Sequence, residues 1–127
     1  MAKVKQLTVA LENRPGTLAN VAKVLADAKV NVLALLGSTA GTQGSVQVVV
    51  DNVNNAKKAL GAAGLSYTEG MLEQIELLNK PGALAELAGR LAKKGINIDC
   101  AYATMPKGAK KAVVVLAASK AGETAGA

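Results

Sequence analysis

The chain has no histidine, tryptophan or phenylalanine, and its 127 residues include one cysteine and two tyrosines. Without histidine it lacks the side chain most often used as a general base and as a metal ligand, which counts against catalysis and a metal site. Cys100 alone excludes an internal disulfide, and with nothing to activate its thiol it reads as a small core residue. Two rings, Tyr67 and Tyr102, are too few for a base-stacking platform, so the net charge of +6 does not by itself point to nucleic acid. The fifteen Lys and Arg are scattered apart from K-G-A-K-K at 107–111, and they read as solvated surface. No apolar run nears the ~20 residues that span a bilayer, and the start M-A-K-V-K-Q-L lacks the layout of a secretory signal. A cytoplasmic protein with no cofactor, nucleic-acid or membrane partner is therefore expected.

What the sequence does have is a large apolar fraction, 50%, enough for a packed core in one ordinary domain or two small ones. It also has a repeat. Setting residue n against n+66 pairs Asn13 with Asn79, Pro15 with Pro81, Gly16 with Gly82, Leu18 with Leu84, Leu25 with Leu91 and Asn31 with Asn97. The stretch L-E-N-R-P-G-T-L at 11–18 thus returns as N-K-P-G-A-L at 79–84.

Each copy reads as the same run of elements. Residues 4–11 and 71–78 are β-rich first strands, each stopped by the Pro-Gly turn. Leu18, Val21, Ala22, Leu25 and Ala28 then fall on one helical face, and Leu84, Leu87, Ala88 and Leu91 repeat the pattern. Second strands are expected at 30–36 and 96–103, hairpin connections at 37–44 and 105–108, and third strands at 44–51 and 110–117. In the first copy 53–63 is a second helix capped by Asp51 or Asn52, and 65–69 a fourth strand. The order β-α-β-β-α-β defines an α+β fold of two tandem ferredoxin-like units, 1–69 and 70–127, each an antiparallel sheet with its helices on one face. The second unit is expected to be truncated after its third strand: 119–127 aligns with the start of a second helix but has two glycines and no apolar stripe. Its edge would need covering, and units this small favour packing together and dimerisation.

The repeated turn has a chemistry of its own. A strand that passes through Asn-x-Pro-Gly straight into a helix leaves the first helical amides unpaired, and with the helix dipole they attract a carboxylate. Gly16 and Gly82 allow close approach to the backbone, while the amides of Asn13 and Asn79 offer an oxygen to an ammonium and a nitrogen to a carboxylate. Asn31 and Asn97 interrupt apolar strands beside Val32 and Ile98, where a partly buried amide needs a partner. These groups suit a free α-amino acid. The structural alternative stands beside it: Asn13 and Asn79 as turn or capping residues, Pro15 and Pro81 at the first helical position, and Asn31 and Asn97 bonded to backbone.

The turn L-E-N-R-P-G-T-L followed by A-K-V-N-V resembles the ACT domain, a regulatory small-molecule-binding module of amino-acid metabolism. The first copy resembles in particular the serine-binding regulatory ACT domain of phosphoglycerate dehydrogenase. The resemblance implies a tandem ACT protein that senses a free amino acid between ACT domains, forms a homodimer and modulates a partner enzyme of amino-acid metabolism without chemistry of its own. It implies ligand contacts from Leu11, Asn13, Arg14, Pro15, Gly16, Thr17 and Leu18, with Asn31 and Val32. In the second copy the matching contacts are Asn79, Pro81, Gly82, Ala83 and Leu84, with Asn97 and Ile98. Leu11 and Leu77 stand where the serine-binding domain has a histidine, which favours an apolar or larger ligand side chain. The alternative function is a protein-interaction module that keeps the fold without a ligand, using its sheet edge.

Overall fold

The computed structural model describes residues 2–120. The elements are β1 (Ala2–Glu12), α1 (Thr17–Asp27), β2 (Val32–Ala40), β3 (Gln43–Val50), α2 (Val53–Ala62), β4 (Tyr67–Leu78), α3 (Ala83–Lys93), β5 (Ile96–Ala103) and β6 (Lys111–Lys120). The strands hydrogen-bond in the order β2-β3-β1 in the first part of the chain and β4-β6-β5 in the second. The fourth strand expected at 65–69 and the first strand of the second copy at 71–78 are one continuous strand, because Gly70 between them stays extended.

Contacts group the chain into Lys5–Gly70, the N-terminal unit, and Met71–Ala127 together with Met1–Val4, the C-terminal unit. In the N-terminal unit β1 pairs antiparallel with β3, and β3 with β2. Leu7, Val9, Val21, Leu25, Val46 and Leu60 are its most buried side chains, contributed by the sheet and by both α1 and α2. Asn52 caps α2, its side chain accepting from the Asn55 amide at 3.0 Å.

In the C-terminal unit β6 pairs antiparallel with β4 and with β5, and among the described residues α3 supplies the helical core residues Leu87 and Leu91. The opening residues of β1 group with this unit. Ser119 and Lys120, expected to lie beyond the third strand, belong to β6, and the rest of that stretch, 121–127, lies outside the described residues.

Two local expectations change. The Gly-rich 37–44 is not a long connection: β2 runs to Ala40 and β3 starts at Gln43, so the tip is Gly41-Thr42, with Gly41 at φ 63°. Extended Ser38, Thr39 and Ser45 satisfy their backbone groups in the ladder, which an open loop could not do. Leu18, Ala22 and Leu84 do not join the buried stripes: they are exposed, and Val21 with Leu25, or Ala83, Leu87 and Leu91, carry the core contact.

Candidate functional site

Both copies of the turn close in the same way. Arg14 N–H donates to Glu12 O at 3.0 Å and Lys80 N–H to Leu78 O at 3.0 Å. Gly16 and Gly82 follow at φ 91° and 88°, a left-handed conformation that glycine adopts without strain. They are the N-caps of α1 and α3, so Pro15 and Pro81 precede the cap and do not occupy the first helical position. Neither helix has a side-chain cap, which leaves amide donors at its start available to a carboxylate.

The asparagines hold hairpins and do not cap helices. Asn13 Nδ2 donates to Gly41 O at 2.9 Å and its backbone N–H to Thr42 O at 2.9 Å, clipping the strand end to the β2–β3 tip. Asn79 repeats this on the β5–β6 tip, with Nδ2 2.7 Å from Ala109 O and 3.2 Å from Pro106 O, and N–H 2.8 Å from Lys110 O. The amide nitrogen expected to meet a ligand carboxylate is thus already engaged at both positions. The amide oxygen remains the group suited to an ammonium. Thr17 Oγ1 lies 2.9 Å from Glu12 O and 3.2 Å from Arg14 O, donating into the turn and keeping lone pairs.

Two open clefts flank the first turn. One of about 310 Å³ lies between the turn and the β2–β3 hairpin, walled by Leu11, Leu18 and Val46, with Asn13, Thr17 and Gly37 on its rim. The other, about 470 Å³, lies between the turn and Gly64–Ser66, and brings in Arg14, Pro15, Gly16 and Asn20. Both volumes fall in the ~300–1,000 Å³ range of small-molecule sites. Arg14 Nε contacts Glu12 Oε2 at 2.6 Å, so its charge is already balanced.

Asn31 and Val32 do not line these clefts, and Asn31 precedes β2 instead of lying within it. Its N–H donates to Asp51 Oδ1 at 2.9 Å, and its carbonyl accepts from Asp51 N–H at 3.1 Å. Asn97 Nδ2 donates to Asp99 Oδ1 at 2.9 Å, and Ser119 Oγ to Asp99 Oδ2 at 2.7 Å. Both asparagine residues are exposed, against the expectation of partial burial. Val32 and Ile98 pack against the cores.

The chain matches the ACT domain pair family over residues 2–125. It belongs to that family. The structure of protein BT0572 from Bacteroides thetaiotaomicron is 31% identical, with a TM-score of 0.87 over 93% of this chain and 81% of that one. The regulatory subunit of aspartate kinase from Thermus thermophilus, in its ligand-free form, shares the fold at 16% identity, with a TM-score of 0.67 over 90% and 82% of the two chains. That from Thermus flavus does so at 18% identity, with a TM-score of 0.58 over 91% and 85%. Comparison with curated proteins gives no match.

The two members of this ACT pair are not equivalent. Leu7 pairs with Val48 and the matching Glu73 with Leu116, so the repeat offset of 66 on the first strand becomes 68 on the third. Two extra residues lengthen the second tip, which sequence matching at a single offset could not show. With that register Gly37, Thr39 and Gly44 of the first cleft correspond to Ala103, Met105 and Ala112. A Cβ on Gly44 would sit 3.0 Å from Ser38 O. Ala112 is accommodated because β5 ends at Ala103, leaving the Ser38 counterpart, Thr104, outside the ladder. Glu12 and Thr17 likewise become Leu78 and Ala83.

Among the described residues no group of three or more His, Cys, Asp or Glu is placed to hold a metal, and no helix is long and apolar enough to cross a membrane. The side chain with a large pKa shift is Tyr102, pushed up to about 12 by burial and then by the nearby Cys100. Both are half-buried on β5.

Proposed function

We propose that this ACT pair is a cytoplasmic regulatory protein that binds a free amino acid at its N-terminal turn and modulates an enzyme of amino-acid metabolism. The observation carrying this reading is the 310 Å³ cleft: uncapped α1 amides, the Asn13 carbonyl oxygen and the Thr17 hydroxyl stand beside an apolar wall of Leu11, Leu18 and Val46. The amides suit the ligand carboxylate, the two oxygens its ammonium, and the leucines an apolar side chain. Arg14, Pro15 and Gly16, which line the neighbouring cleft, shape the turn backbone on which these contacts stand. The C-terminal turn of Asn79, Pro81, Gly82, Ala83 and Leu84 keeps the backbone geometry, but larger residues, Ala103 and Met105, stand at the positions of Gly37 and Thr39, so one site per chain is the main one. Pairing of two chains as a homodimer closes the open side, and ligand acts by favouring one arrangement over another.

A thermal-shift screen against single amino acids tests this. A ligand at 100 times its Kd stabilises the fold by ~2.7 kcal/mol, a measurable rise in Tm. The companion variant is Gly37→Ala with Thr39→Met, which transplants the second copy's residues without touching the Asn13 clip. It should keep the unliganded Tm and lose the ligand shift. A second reading has its own support: the side-chain donors of Asn13 and Asn79 are satisfied by hairpin carbonyls, as a turn without a ligand requires. If no amino acid shifts Tm, the chain is a protein-interaction module.

A further inference from the structure

The C-terminal turn end differs from its counterpart in charge as well as in cleft shape. Asn79 clips the β5–β6 tip to the turn that carries Lys80, so Lys80, Lys107 and Lys110 are gathered at one end of the unit. All three are exposed, and no salt bridge engages them among the described residues. Lys111, next in sequence, is balanced by Glu76 at 3.1 Å. At the other turn the single cation, Arg14, is balanced by Glu12, and the tip is the uncharged Gly41-Thr42. The longer tip of 104–110 also carries Met105, 37% exposed, on a segment stiffened by Pro106.

We infer that this tip and turn form a docking surface for an acidic segment of a partner protein, one with carboxylates flanking an apolar residue. Three positive charges at one end of the unit attract carboxylates and raise the association rate. Met105, on the same tip, supplies an adaptable apolar contact. A nucleic acid fits less well, since no exposed ring accompanies the lysines and Glu86 in the first turn of α3 interrupts the positive track. The surface lies in the C-terminal unit, while the amino-acid cleft lies in the N-terminal one, so the two are tested separately.

The probe is a fluorescent peptide of alternating glutamate and leucine, titrated by anisotropy against the full chain at low and moderate salt. Binding should weaken with salt, and Lys80→Gln with Lys107→Gln and Lys110→Gln should weaken it by roughly threefold to a hundredfold, from three exposed pairs of ~0.2–1 kcal/mol each. Removing the same charge elsewhere, by Lys58→Gln with Lys93→Gln and Lys94→Gln, should leave it nearly unchanged. Met105→Ser should weaken it without altering its salt dependence. No binding, an equal loss in both triple variants, or tighter binding of an RNA of equal charge overturns the inference. The amino-acid thermal shift of the first triple variant separates this result from the fate of the ligand site.

Discussion

At the N-terminal turn Arg14 is balanced by Glu12, and Gly37, Thr39 and Gly44 leave a cleft beside α1. At the C-terminal turn the same backbone path carries Leu78, Ala103, Met105 and Ala112, with lysines around it. What is common to the two is what the backbone requires: a glycine at positive φ, and an asparagine whose amide bridges to a hairpin tip. What differs is what a ligand or partner would meet. The pair therefore reads as one architectural device carrying two different surfaces.

The cores differ too, and this comparison gives the largest expected effect. Leu25 of α1, at 1% exposure, lies in a core to which two helices contribute, whereas Leu91, at 5%, lies in a core to which one helix contributes among the described residues. Leu25→Ala should cost toward the upper end of ~2–5 kcal/mol and Leu91→Ala toward the lower end. Denaturant unfolding of the two variants checks this; equal losses would mean the second core is as complete as the first.

The glycine caps should instead behave alike. Gly16→Ala and Gly82→Ala meet no atoms within 4 Å, so the cost is conformational, about 1–2 kcal/mol each. A much larger loss at one position would show that the turns are not the same device. The asparagine clips should separate again. Asn79→Ala removes a side chain near two carbonyls, one of its contacts partly buried, and should cost about 2 kcal/mol; Asn13→Ala, with one exposed bond, should cost about 1 kcal/mol. A reversed order would place the firmer clip at the first turn.

The smallest effect is confined to the second copy. Tyr102, whose counterpart is Leu36, is held neutral to about 12 in the folded chain, above the ordinary phenol value of 10.0. The unfolded chain loses that proton first, so this contribution is complete below the ordinary value and fades as pH rises through about 12. Tyrosinate absorbance during alkaline titration should show one late-titrating ring, and Tyr102→Phe should remove that late step.

Much of the fold was legible in the sequence. Val21 with Leu25, and Leu87 with Leu91, announced helices at the spacing of one buried face, and the doubled Asn-x-Pro-Gly located both turns. The connection at 37–44 was misread because glycine and serine favour turns locally, while cross-strand hydrogen bonds to β3 decided the extended form. The site was legible in position, but not in how its groups are used. Asn13, Asn79, Asn31 and Asn97 read as ligand donors, yet their partners come from residues 20 or more away in sequence at three of the four positions.

By itself the sequence determined the repeat, the helices, the glycine-dependent turns and membership of the ACT family, because each rests on short-range spacing or on a conformation few residues can adopt. Tertiary structure alone decided that β4 runs unbroken past Gly70, that the opening of β1 groups with the C-terminal unit, and that the repeat offset changes across the second hairpin. Strand partners and register depend on hydrogen bonds between residues far apart in the chain, and local periodicity does not encode them.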